Sequence, residues 1–414
     1  MKSINVKEFI DTFSSDESYT SAEQLKNVMD ILNDVRQNKD QALLDYTSRF
    51  DGQELDEIKV PLSYLKESYE QLDEDIKKAL VTAKERIEAY EKSIKYEDRN
   101  LGEFTYVYRP LERVGIYVPG GTALYPSSVL MTVIPAQVAG VKEIHVTTPT
   151  FERNNITFAT LYLLGVENVY TVGGAQAVAA LAYGTETIPK VDKIAGPGNA
   201  YVAIAKRLVY GDVGIDSIAG PSEILLYVDE SSDVDAVVYD VFAQAEHDPN
   251  ARTFLLSESE AFIQKVEQRM EELIEDQPRK EIIKHSVANN HYPIVDTREN
   301  LIKVSNYIAA EHVSVQHEEE DAIVDAIDYA GAIFKGKTTC EAIGDYVAGP
   351  SHVLPTDRTA RFSHGLNVND FMTSHSIISL TNETYQSIVG DAAIIADREG
   401  LFAHKASLLV RKED

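Results

Sequence analysis

Between residues 104 and 222 short apolar strand-like runs alternate with helical ones, and glycine recurs where the chain changes direction. FTYVYRPLERVGIYVPGG reads as extended chain ending in a Pro-Gly-Gly turn. EIHVTTPT, NVYTVGG and KVDKIAGPGN read as strands with their turns. MTVIPAQVAG, NITFATLYLLG, AQAVAALAYG and AYVAIAKRLVYG read as the helices between them. Strands joined through helices of this length form βαβ units, whose strands lie parallel in one sheet. Residues 117–222 therefore form one α/β domain. A second alternation begins at SEILLYVDE and runs through VDAVVYDVFAQAE, TFLLS, AFIQKVEQRMEELIED, IVDT, LIKVSNYIAAEHVSV and GAIFKG.

Residues 1–100 read as helices. Leu25, Val28, Met29 and Leu32 share one face before a break near Asn38, and Leu65, Tyr69, Leu72, Ile76 and Leu80 follow at helical spacing. With few strands of their own, they are expected to pack with the second alternation, giving one domain from 1–116 and 223–366. The remainder, 367–414, contains a helix around 382–390 and a closing strand, ASLLVRK.

Composition narrows the function. The net charge of −28 repels a phosphate backbone, which argues against non-specific nucleic-acid binding and favours solubility. No apolar run approaches the roughly 18 residues of a membrane span, and the first residues lack a signal-peptide core, so a cytoplasmic location is expected. Cys340 is the single cysteine. That excludes an internal disulfide and a thiolate-rich zinc site. With no basic neighbour in KTTCEAIGDY, Cys340 reads as a small buried filler rather than a nucleophile. Any metal must be held by nitrogen and oxygen.

VPGG (118–121), VGGAQ (172–176) and AGPGN (195–199) each place glycine between a strand and a helix. Glycine lets a ligand approach the backbone, and the helix start offers N–H groups to an anion. Three such turns at strand ends suggest a nucleotide, although any one alone reads equally well as a tight connection. The usual dinucleotide fingerprint is missing, because Tyr201 stands where its third glycine would fall. GAIFKGKT (331–338) matches the phosphate-loop pattern in letters only, since a helical segment precedes it and its supposed loop is strand-like.

Gln244 and His247 lie three apart at the end of a helix closed by Asp248-Pro249-Asn250, so they share a face. They suit one zinc ion, with a carboxylate and an imidazole from elsewhere. From spacing alone the simpler reading makes Gln244 surface and His247 a partner of the helix terminus. Glu311-His312 joins a carboxylate to an imidazole, a pair suited to proton transfer or equally to an exposed helix end. GDYVAGPSHVLPT, with Asp345 and His352, reads as an ordered polar loop, and EGLFAHK places Glu399 and His404 near the end of the chain.

Together ALLDYTSRFD, RPLERVGIYVPGGTA, YPSSVLM, the run from VGGAQ to AGPGNAYVAIAKR, AGPSEILL, AQAEHDPNA, GAIFKG, GDYVAGPSHVLPT and EGLFAHK, in that order, resemble the histidinol dehydrogenase family from about residue 35 onward. The resemblance implies two incomplete Rossmann-like, aldehyde-dehydrogenase-like α/β domains, with 117–222 associated with NAD. It also implies a homodimer in which 367–414 crosses to the partner. It places one zinc per subunit on Gln244, His247, Asp345 and His404. Substrate contacts fall on Ser222, Gln244, His247, His312, Asp345, Glu399 and His404, and NAD contacts on Tyr117, Gln176 and Asn199. The catalytic pair falls on Glu311 and His312. The implied reaction is oxidation of L-histidinol to L-histidine through L-histidinaldehyde, using two NAD and no thiol. The sequence departs from the family at Ala309-Ala310, usually Ala-Pro, and at Pro350-Ser351, usually Thr-Asn.

Overall fold

A computed structural model describes residues 3–13, 21–120, 124–152, 155–218 and 220–413. Four helices come first: α1 (Val6–Thr12), α2 (Ala22–Asp51), α3 (Leu62–Glu70) and α4 (Glu74–Ile94). The short strands β1 (Arg99–Asn100) and β2 (Phe104–Pro110) follow. The first alternation is β3 (Arg113–Tyr117), α5 (Pro126–Ala139), β4 (Glu143–Thr147), α6 (Ile156–Leu163), β5 (Asn168–Tyr170), α7 (Gly174–Tyr183), β6 (Lys193–Ala195), α8 (Ala200–Val209) and β7 (Gly214–Ile215). The second is β8 (Glu223–Val228), α9 (Val234–Ala245), β9 (Arg252–Ser257), α10 (Glu260–Leu273), α11 (Lys280–Asn290), β10 (His291–Val295), α12 (Arg298–Ile308), β11 (His312–Gln316), α13 (Glu320–Asp325), β12 (Ala332–Lys335) and α14 (Glu341–Tyr346). The chain ends with β13 (Met372–Ile378), α15 (Asn382–Arg398) and α16 (Phe402–Leu409). None of the described helices is long and apolar enough to cross a membrane.

The chain divides into two compact units, residues 1–94 with 111–371, and residues 95–110 with 372–414. The larger unit holds two parallel five-stranded sheets with the same winding, ordered β5-β4-β3-β6-β7 and β10-β9-β8-β11-β12. In each sheet the strand order reverses beside the first strand of the alternation, so the switch points lie between β3 and β6 and between β8 and β11. Every residue of β8, β9 and β11 is buried, as a sheet covered on both faces requires. Leu225 and Tyr227 face a cluster containing Phe9, Phe254 and Val313, whereas Ile224, Leu226 and Val228 face α9 through Val237, Val238 and Val241.

Several expectations about organisation change. Helices α2, α3 and α4 cover the first sheet's helices, not the second sheet. The stripe Val28, Ile31, Leu32, Val35 and Leu43 joins one core with Val178, Leu181 and Val202, and Tyr69 of α3 meets Tyr162 of α6 at 5.6 Å between ring centroids. The short helices α6 and α7 are apolar almost all round, so they need an outer cover, which α2 and α3 provide. Only α1 packs on the second sheet as expected, with Phe9 and Phe13 against Phe254 and Tyr292. The break anticipated near Asn38 falls at Lys39, whose φ is 53°.

The boundaries at 117 and 367 also move. β3, beginning at Arg113, is the central strand of the first sheet, and β2 leaves it to pair antiparallel with β13 in the smaller unit. ASLLVRK, expected as a strand, is mostly the end of helix α16. Its Ala- and Leu-rich run favours a helix, and α16 is tied to α15 where the Tyr385 hydroxyl donates to the Leu408 carbonyl at 2.8 Å. Cys340 is half-buried at the start of α14, not a core filler.

Glu91 of α4 is fully buried in the larger unit. Its Oε2 accepts from the Val368 N–H at 2.7 Å, while Oε1 has no partner. Burial pushes its carboxyl from 4.5 up to about 7. A carboxyl whose folded value is raised contributes stability below its unfolded value and loses it as pH rises through the folded one. Glu91→Gln, neutral throughout, is expected to raise Tm by a few degrees at pH 8.5 and much less at pH 4.5. Thermal unfolding at both values checks this; an equal shift at the two would refute the assignment.

Candidate active site

The polar cluster of the second sheet gathers at the amino ends of its strands. Each connecting helix runs back along the sheet, so the end of α9, the starts of β8 and β11, and α14 all reach that edge. Glu311 immediately precedes β11 and His312 opens it, and both are buried, which removes the reading of an exposed helix end. The Glu223 N–H donates to Glu311 Oε2 at 2.9 Å, and His312 Nδ1 lies 3.1 Å from the Glu223 carbonyl oxygen. A carbonyl only accepts, so Nδ1 carries the proton and Nε2 keeps its lone pair. One residue thus orients both groups through its own backbone.

Glu223 is itself fixed. Its carboxylate accepts from Arg252 at 2.9 Å and from the Asp357 N–H at 3.2 Å, and Arg252 also reaches Asp357 at 3.0 Å. Burial pushes the Glu223 carboxyl up to about 7, against the pull of Arg252. Burial also holds Glu311 well above the usual carboxylate range, opposed by the Glu223 N–H. It lowers His312 to about 3, leaving a neutral imidazole. Gly331 keeps β12 close, since a Cβ there would meet the Glu311 carbonyl oxygen at 2.4 Å.

Gln244 and His247 share a face at the end of α9 as their spacing implies, and the plain-surface reading fails for Gln244. Its side chain is buried and its Oε1 has no hydrogen-bond partner. His247 is exposed, and it joins Asp345 and Glu341 with ligand atoms all within 4.8 Å of one another. Glu341, absent from the sequence expectation, is buried with Oε2 unpartnered, and its Oε1 lies 3.8 Å from His312 Nδ1. Burial pushes Asp345 up to about 6 and Glu341 well above the usual range. One buried and one half-buried carboxylate, an imidazole, and an idle amide oxygen one helical turn from it form a nitrogen–oxygen donor set short of positive charge, which fits a divalent cation.

His352 sets Asp345 in place, with Nδ1 3.1 Å from its carbonyl oxygen. The neighbouring Ser351 is buried, and its hydroxyl donates to the Met131 carbonyl at 3.2 Å, so this departure from the family ties the loop to α5. Ala309 ends α12 with φ of 49°, and Ala310, the other departure, stands between it and the Glu311-His312 pair. Ser222 is half-buried immediately before β8, with its carbonyl accepting from the Arg252 N–H at 2.9 Å. Glu399 and His404 lie in the smaller unit, at the end of α15 and in α16, and both are exposed.

At the first sheet a cavity lies at the opposite edge. It measures about 990 Å³ and is lined by Tyr117 at the end of β3, Gln176 at the start of α7 and Asn199 before α8, together with Asp30, Arg49 and Asp51 of α2. The three expected cofactor residues are therefore brought to one cavity, beside the carboxyl ends of β3 and β6 at the switch point. The Tyr117 hydroxyl accepts from the Gly174 N–H at 3.1 Å, and Asn199 caps α8. The turn before Asn199 is clamped on both sides of Gly196. Buried Lys206 donates to its carbonyl at 2.9 Å, and Asp216, the ion-pair partner of Lys206, accepts from its N–H at 2.8 Å. Gly196 has φ of 119°, and a Cβ there would meet the Tyr117 carbonyl oxygen at 2.1 Å.

The family model for histidinol dehydrogenase matches residues 15–412. The chain belongs to the histidinol dehydrogenase family. Histidinol dehydrogenase of Staphylococcus epidermidis is 48% identical over 416 residues, covering 99% of this chain and all of that one. That of Staphylococcus saprophyticus is 48% identical over 388 residues, covering 93% of this chain and 92% of the relative. The crystal structure of histidinol dehydrogenase from Elizabethkingia anophelis matches with a TM-score of 0.93 at 35% identity, covering 99% of this chain and 96% of that one. An acetylating aldehyde dehydrogenase from Geobacillus thermoglucosidasius shares the fold, with a TM-score of 0.51 at 13% identity over 91% of this chain and 94% of that one. Family membership makes the chain an oxidoreductase and supports oxidation of histidinol.

Proposed function

We propose that this protein carries out the zinc-dependent, four-electron oxidation of L-histidinol to L-histidine through L-histidinaldehyde, with reduction of two NAD. The observation that carries this reading is the shared anchoring of Glu311 and His312 on the backbone of Glu223. Zinc, held by Gln244, His247 and Asp345 with His404 as fourth ligand, would supply positive charge to fix the substrate's nitrogens, and NAD would supply the hydride acceptor. His312, neutral and with Nε2 free, takes the proton of the substrate hydroxyl. Glu311, in its ionised form, deprotonates the water that attacks the aldehyde carbon, and His312, having passed on its first proton, accepts the second. Ser222 and Glu399 line the substrate's remaining polar groups. Burial keeps bulk water from the pair, which guards the aldehyde between steps.

The protein acts as a homodimer, with Glu399 and His404 completing the partner's site. Its test is the ratio of NADH formed to histidinol consumed. The four-electron reaction requires a ratio of two, and a ratio of one would reduce the activity to that of an alcohol dehydrogenase. No turnover of histidinol within a panel of small alcohols would reject the substrate assignment.

A further inference from the structure

Asp51 is an unusual residue to find where it stands. It is the last residue of the 30-residue helix α2, ahead of Gly52, which closes the helix in the left-handed conformation at φ 64°. Helix carbonyls converge at that end, so a carboxylate there meets like charge and costs stability. Its Oδ2 is buried and has no hydrogen-bond partner, and burial raises its carboxyl above the usual range. Neither helix nor core gains from this arrangement, and a buried acceptor left unmatched calls for an explanation. The side chain lines the same cavity as Tyr117, Gln176 and Asn199.

The charge of the cavity wall sharpens the point. Asp30, Asp51 and Glu152 contribute carboxylates, and Arg49 is the one cation among the described lining residues. Arg49 packs against Phe50, its guanidinium carbon 5.3 Å from the ring centroid. A wall of this sign suits a ligand that brings hydroxyl donors, and it opposes an additional phosphate.

We propose that Asp51 binds the vicinal hydroxyls of a cofactor ribose and so selects a dinucleotide with a free 2′-hydroxyl over its 2′-phosphorylated form. The inference rests on the reading of this cavity as the NAD site. In sheets bearing the standard glycine fingerprint an acidic residue performs this task from within the nucleotide-binding fold. Here the fingerprint is missing, and the acid arrives on a helix from the N-terminal segment.

The test measures binding to the intact protein by calorimetry, with NADH fluorescence as a second signal. Probes are NAD, NADP and 2′-deoxy-NAD, against wild type, Asp51→Asn and Asp51→Ala. Loss of a charged acceptor is expected to weaken NAD binding roughly ten- to a hundredfold in Asp51→Ala. The preference for NAD over NADP should shrink by a similar factor. In wild type 2′-deoxy-NAD should bind more weakly than NAD, and that difference should vanish in Asp51→Ala. Tm should not fall in either variant, since the carboxylate opposes the helix end. Unchanged NAD affinity and unchanged discrimination in Asp51→Ala would overturn the proposal while leaving the cavity as the cofactor site. Absence of NAD binding to wild type would instead overturn the cofactor reading, and this inference with it.

Discussion

His312→Asn is expected to lower kcat for histidinol by roughly 10²–10⁴, the usual contribution of a positioned general base. Asparagine preserves a donor for the Glu223 carbonyl, which His312 Nδ1 meets at 3.1 Å, so the anchoring survives while the base is lost. The expected signature is a fall in kcat with little change in Tm or metal content. Glu311→Gln should behave differently. It retains an acceptor for the Glu223 N–H, which now lies 2.9 Å from Oε2. The first oxidation then proceeds and the second stalls, giving a burst of one NADH per site followed by slow turnover. Equal slowing of both oxidations in Glu311→Gln would remove the division of labour between the pair.

Mixing His312→Ala subunits with His404→Ala subunits is expected to create activity from two inactive proteins. In a two-fold symmetric dimer with crossed sites, each hybrid holds one site free of both substitutions, and random pairing returns about a quarter of wild-type activity. The His404→Ala protein alone should also bind less zinc, measured by metal analysis after dialysis. No recovery on mixing, with exchange verified by mass, would mean that each site is built within one chain. Glu399 and His404 are exposed on the smaller unit, which is consistent with a role outside its own core.

Much of this was legible in the sequence, and the failures have definite causes. The alternation of apolar runs gave the two parallel sheets because a strand buried on both faces leaves little freedom in its composition. Helices α2 to α4 went astray because an apolar stripe states that a helix packs, never against what. The burial of Glu311 and His312 arises from pairing of β11 with β8 and β12, a long-range event invisible in the letters EH. Glu341 and Asp345 lie four apart on one helix, a spacing that places both carboxylates on one face, and that signal could have exposed Glu341 beforehand. Asp51 gave only a weak signal, since an acid ahead of the closing glycine in TSRFDG is out of place at a helix end but says nothing of the cavity beside it.

The peptide groups of Glu223 bear on how such an enzyme can be altered. Both proton-handling side chains take their aim from the main chain of one residue, itself wedged by Arg252 and the Asp357 N–H. A tilt of that segment would misalign acid and base together. Backbone changes near residue 223 therefore cannot tune one half-reaction and spare the other. A catalyst redesigned to release the aldehyde has to be sought among substitutions of the Glu311 side chain, with the main chain beneath it left as it is.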